Sequence, residues 1–156
     1  MGRIDARLKE LGIQLPTERL VPRANALHWR KSGNMVYVAG QGPFWDGRFV
    51  ITGRLGKDLS LEQGREAAKI AAINILGHLK DACEGDLDRV RGCIMVQGFV
   101  RCTDEFDDTP LVINGASDLF VDVFGEAGRH ARYAVGSNAL PRSIPVEVGG
   151  IFEISA

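Results

Sequence analysis

The segment Val90 to Arg101 sets the tightest limit on what this chain can fold into. Cys93, Met95, Gln97 and Phe99 alternate with Ile94, Val96 and Val100, so an extended segment here is mostly apolar on both faces. Such a strand needs cover on two sides. Two helical patterns flank it. Ala67, Ile70, Ile73, Leu76, Leu79 and Cys83 step by three or four. Asp58-Leu59-Ser60 supplies capping chemistry ahead of them, Glu62 suits the helix dipole, and Gly85 closes the run. Thr109-Pro110 starts the second helix, with Thr109 as cap and Pro110 at the first position. Ile113, Ala116, Phe120 and Val123 give that helix one apolar face, ending near Gly125. Two helices cover one face of a sheet, so a second sheet or another subunit has to cover the other.

The remaining patterns fill in the sheet. Met35 to Ala39 follows Gly33-Asn34, and Arg48 to Thr52 follows Asp46-Gly47, which predicts a hairpin between these two runs. Arg132 to Ser137 and Val146 to Ile154 are the last two strands. The sum is an α+β fold: a mixed sheet with two main helices packed on one face, plus a short N-terminal helix. Ile4, Leu8 and Leu11 mark that short helix and Gly12 stops it. Residues 1–23 read as a helix and linker extension, and 24–156 as a single domain.

Composition narrows the function classes. A formal charge of −1 gives no general attraction for nucleic acid or anionic membrane. No apolar run has the length of a membrane span, and Arg3, Asp5, Arg7, Lys9 and Glu10 interrupt any signal-peptide core. Cys83, Cys93 and Cys102 are odd in number and form no Cys-x-x-Cys pair, so neither a disulfide framework nor a zinc site is expected. Free thiols point to the cytosol.

Candidate chemistry concentrates in the last two strands. If they form an antiparallel pair turning between Ala139 and Leu140, Arg132 faces Glu147, with Ala134 and Gly136 on the same face as Arg132. An arginine beside small residues has room for a ligand, and its planar fork suits a carboxylate. A glutamate nearby could hold a water. A cross-strand ion pair, worth at most about 1 kcal/mol, is the competing reading. Asn114 lies one place from the core position Ile113. His130 shares a strand face with Arg132. His28, His78 and His130 lack metal-ligand spacing. Gly40-Gln41-Gly42-Pro43 lacks the lysine and helix of a phosphate loop.

Several motifs resemble one family. His130-Ala131-Arg132-Tyr133-Ala134-Val135, Leu140-Pro141 and Val146-Glu147-Val148 are similar to the C-terminal signature of the RidA/YjgF family. Gly33 to Gln41 resembles its first-strand motif, and the stretch VINGASDLFVDVFGEAGRHAR, from Val112 to Arg132, looks like a divergent subgroup. The resemblance implies a chorismate-mutase-like fold and a homotrimer with clefts at its subunit interfaces. It also implies hydrolysis of enamine and imine intermediates, such as 2-aminoacrylate, to 2-keto acids and ammonia without metal or organic cofactor. Carried onto this chain, Arg132 clamps the substrate carboxylate, Glu147 positions water, Asn114 is the cleft asparagine, and the Gly40 backbone lines the cleft. Ala134 completes the expected substrate-binding set. The family's tyrosine, serine and second acidic residue stand as Ala26, Ala39 and Gly149 here. A non-catalytic carboxylate-binding trimer and an endoribonuclease are the alternative expectations.

Overall fold

The computed structural model describes residues 1–156. One five-stranded sheet carries the fold, in the order β1-β2-β7-β5-β6. Its strands are β1 (Trp29–Ser32), β2 (Met35–Gln41), β5 (Val90–Arg101), β6 (Ala131–Ser137) and β7 (Val146–Ile154). Two long helices, α2 (Leu61–Ala82) and α3 (Thr109–Phe124), pack against each other and against one face of this sheet. The α+β layer pair expected from the sequence is present.

Local chemistry explains the helix bounds. Ser60 caps α2 through a capping box: its hydroxyl accepts from Gln63 N–H, and the Gln63 side chain accepts from Ser60 N–H. The cap of α3 is Asp108 rather than Thr109, with Pro110 one place further in. Thr109 instead donates its hydroxyl to the Ala134 carbonyl at 3.0 Å, tying α3 to β6. Helix α1 (Arg3–Glu10) is not free of the domain. Ile4 and Leu8 are buried in the main core, and the Asp88 carboxylate accepts from the Arg3 and Ile4 amides at 2.7 Å each.

Two sequence expectations need correction. The hairpin partner of β2 is β1, with Ser32 opposite Met35 across the Gly33-Asn34 turn. Asp46-Gly47 does turn a hairpin, with φ of 49° and 78°, but it joins only β3 (Phe44–Trp45) to β4 (Arg48–Phe49) in a separate small sheet. The second correction matters more. β6 and β7 run in opposite directions yet are not neighbours, because β5 lies between them, parallel to β6 and antiparallel to β7. The connection at 138–145 is longer than a hairpin loop and steps across the end of β5. Arg132 therefore pairs with Val96, and Glu147 with Phe99.

The doubly apolar pattern of β5 is met on one side only. Val96 and Val100 are fully buried against the helices. On the opposite face Tyr37, Ile94, Phe99, Tyr133 and Val135 are each more than a third exposed. Phe99 and Tyr133 meet edge-to-face at 6.4 Å, and Gln97 donates to the Tyr133 hydroxyl at 2.8 Å. Within one chain nothing covers this apolar face.

Candidate functional site

Strand pairing decides where the candidate residues point. Residues opposite one another share a face of the sheet, and Arg132 lies opposite the buried Val96, on the helix side. Glu147 lies opposite Phe99, on the open side. The two are thus on opposite faces, two strands apart and three residues out of register, roughly 14 Å between backbones. The cross-strand ion pair and the face-to-face site are both excluded. The five expected residues fall into two groups, Arg132, Asn114 and Ala134 beside α3, and Glu147 and Gly40 on the open side.

In the first group Arg132 is held by neutral acceptors. Its terminal nitrogens donate to Ser117 Oγ at 3.0 Å and to the Pro110 carbonyl at 3.2 Å. No carboxylate of the chain comes within ion-pair distance of it. Its Nε–H and two further N–H groups remain for a ligand. Behind it, the His130 ring accepts and donates in a fixed order. Nδ1 lies 2.6 Å from the Gly128 carbonyl and so must carry the proton, which leaves Nε2 to accept from Ser117 at 2.8 Å. Ser117 then turns its lone pairs to Arg132. Burial, with Arg132 close by, holds the His130 imidazole below its ordinary range, which keeps it neutral for this role. Asn114 lies between Pro110 and Ser117 on one stripe of α3, half-buried and without a side-chain hydrogen bond in the chain. Ala134 sits two residues along β6 on the same side as Arg132.

In the second group Glu147 is half-buried and makes no hydrogen bond or ion pair. Burial alone pushes its carboxyl above the ordinary glutamate range. Gly40 leaves it room, because a Cβ at that position would fall 2.7 Å from Glu147 Cγ. Both line a cavity of about 500 Å³ that is also walled by His28, Phe44, Phe49 and Ile144. Sequence reasoning missed His28 as a site residue. Gln41 directs its amide nitrogen to the Ala39 carbonyl at 3.1 Å and to His28 Nδ1 at 3.3 Å. The His28 ring stacks on His78 with centroids 4.5 Å apart. His28 thus forms a cavity wall near Ala26, the position where the resemblance expects a tyrosine. At Gly149, a Cβ would fall 3.2 Å from the Val38 carbonyl oxygen, a tight contact between β2 and β7.

No group of three or more His, Cys, Asp or Glu side chains is placed to hold a metal ion. Cys83, Cys93 and Cys102 are buried and unbridged, and burial pushes the Cys93 thiol up to about 12. No helix is long and apolar enough to cross a membrane.

Comparison with known proteins places this architecture. The family described as "YjgF/chorismate_mutase-like, putative endoribonuclease" matches residues 5–147. Protein TCP17 of Trypanosoma cruzi is 40% identical over 155 residues, covering 99% of this chain and 96% of that protein. The crystal structure of Atu1372 from Agrobacterium tumefaciens, a protein of unknown function, is 44% identical with a TM-score of 0.90, covering 98% of this chain and 94% of that one. A Shewanella oneidensis protein described as a "putative endoribonuclease" is 30% identical with a TM-score of 0.92, covering 97% and 99%. The motifs around Arg132 and Glu147, the sheet order and these matches agree, and the chain belongs to the YjgF/chorismate-mutase-like family.

Proposed function

We propose that this protein hydrolyses the C=N bond of small 2-imino acids, releasing 2-keto acids and ammonia, at clefts between the subunits of a homotrimer. The observation that carries this reading is Arg132: a half-buried guanidinium with two neutral acceptors, free N–H groups and no acidic partner. Such a group favours an incoming carboxylate, and a charge-assisted contact contributes about 1.5–3 kcal/mol.

Glu147 supplies the acid–base function. Its raised carboxyl pKa brings it nearer neutral pH, where one group can take a proton from water and return it to the departing amine. Arg132 and Glu147 lie on opposite faces of one sheet, so one small substrate reaches both only if they come from different chains. The uncovered apolar face of Tyr37, Ile94, Phe99, Tyr133 and Val135 supports assembly, since a monomer would leave it in water. In the cleft, Arg132 of one subunit would orient the anion and Glu147 of its neighbour would direct water to the C=N carbon.

The test is to generate 2-imino acids from amino acids with an oxidase and follow 2-keto acid release. Acceleration by wild type, lost in Arg132→Ala, is expected. Binding of 2-oxobutanoate without acceleration would leave only a carboxylate-binding module. The family description also names an endoribonuclease, but a net charge of −1 offers little to a polyphosphate.

A further inference from the structure

The cavity that holds Glu147 is larger than a three- or four-carbon imino acid needs. At about 500 Å³ it falls in the range that encloses drug-sized ligands. Its lining also carries three arginines, Arg23, Arg48 and Arg142. None of these side chains makes a hydrogen bond or ion pair within the chain, unlike Arg19 and Arg65, which pair with Asp81 and Asp118. Their positions are set by the backbone. Arg48 follows directly on the Asp46-Gly47 turn, and Arg142 sits at φ 59° in the connection between β6 and β7. The Gly42 backbone is packed so closely on Ile144 and Phe49 that a Cβ there would fall 2.8 and 3.2 Å from them, which locks the two loops together.

The same cavity thus brings together Glu147, three arginines without a partner in the chain, and the apolar walls of Phe44, Phe49 and Ile144.

We infer that the preferred ligand carries a second anionic group: a 2-imino acid, or its 2-keto product, whose side chain ends in a carboxylate read by Arg48 and Arg142. This rests on the reading of Arg132 and Glu147 given above and names the substrate class for that site. The first carboxylate meets Arg132 of the neighbouring subunit, the C=N carbon lies by Glu147, and the side chain reaches through the same cavity to Arg48 and Arg142. Arginine is suited to this because its planar fork meets a carboxylate through two parallel N–H bonds.

Calorimetric binding of 2-oxoglutarate and 2-oxobutanoate to the intact protein tests the inference. Wild type is expected to bind 2-oxoglutarate about tenfold tighter or more, the effect of one added charge-assisted pair. Arg48→Ala and Arg142→Asn (asparagine tolerates the positive φ) are expected to bring that ratio close to one. Arg132→Ala is expected to weaken both ligands. Equal binding of the two keto acids by wild type, or a preference that survives in both the Arg48 and Arg142 variants, overturns the inference while the imine-hydrolase reading stands. If Arg132→Ala also leaves binding unchanged, that reading fails with it. The wild-type ratio needs no variant to fold, so it decides the matter alone if a substitution disturbs the loops.

Discussion

His78 is kept neutral by its surroundings, and this gives the protein a defined weakness in acid. The side chain is 4% exposed, stacks on His28, and lies near Arg19. Burial first, then the His28 and Arg19 charges, lower its pKa from 6.5 to about 4. Between those values the unfolded chain binds more protons than the folded one, so this group costs stability as pH falls and costs nothing above about pH 7. The full displacement corresponds to about 3 kcal/mol, and most of it is expressed by about pH 4.5. That is a large share of a typical total of about 5–15 kcal/mol. His78→Phe keeps a flat ring over His28 but cannot take the proton. Urea unfolding of both proteins at one protein concentration, near pH 7.5 and near pH 4.5, isolates the contribution, since carboxylates titrating in that window act on both alike. The stability gap between variant and wild type is expected to shift by about 2–3 kcal/mol in favour of the variant at the lower pH. A gap that is the same at both pH values would refute the account of a buried, neutral His78.

Three further outcomes follow from the geometry. Glu147 has a folded pKa raised by burial, so its charge destabilises the fold as pH rises through and above the ordinary glutamate range. Glu147→Gln is therefore expected to melt higher than wild type at neutral pH, with the difference vanishing below about pH 4. Ser117→Ala removes the acceptor that holds Arg132, and is expected to weaken 2-oxobutanoate binding about tenfold by calorimetry with unchanged helical circular dichroism. Phe99→Lys places a charge on the open apolar face, and on the proposed assembly is expected to give a smaller, more monomeric species than wild type in light scattering.

The layers of the fold were legible because they depend on local periodicity. The three-and-four spacing from Ala67 to Cys83 and the two-sided apolar pattern of β5 are properties of contiguous residues, and both survive in the structure. Strand adjacency is not local. The turn chemistry at Asp46-Gly47 was correctly recognised, yet the strands beside it are two residues each, and the longer partner of β2 is the polar stretch Trp29–Ser32, whose exposed edge carries no apolar alternation. The same limit misplaced the site. The chemistry of Arg132 and Glu147 is local and legible, but the strand inserted between theirs changes both their separation and the face each occupies. The Ser117–His130 link had one visible signal, the placement of His130 on the Arg132 face. The arginines of the cavity had none, because Arg23, Arg48 and Arg142 come to line one cavity only through tertiary packing.

The division of the site between two chains is most directly tested by mixing inactive variants. Arg132→Ala and Glu147→Gln are each expected to lose imine hydrolysis alone. Unfolded together and reassembled, they are expected to form mixed trimers in which roughly a quarter of the interfaces pair an intact Arg132 with an intact Glu147, and about a quarter of the wild-type rate is expected to return. Mixed trimers, verified by mass, that remain as inactive as either parent would contradict a shared cleft.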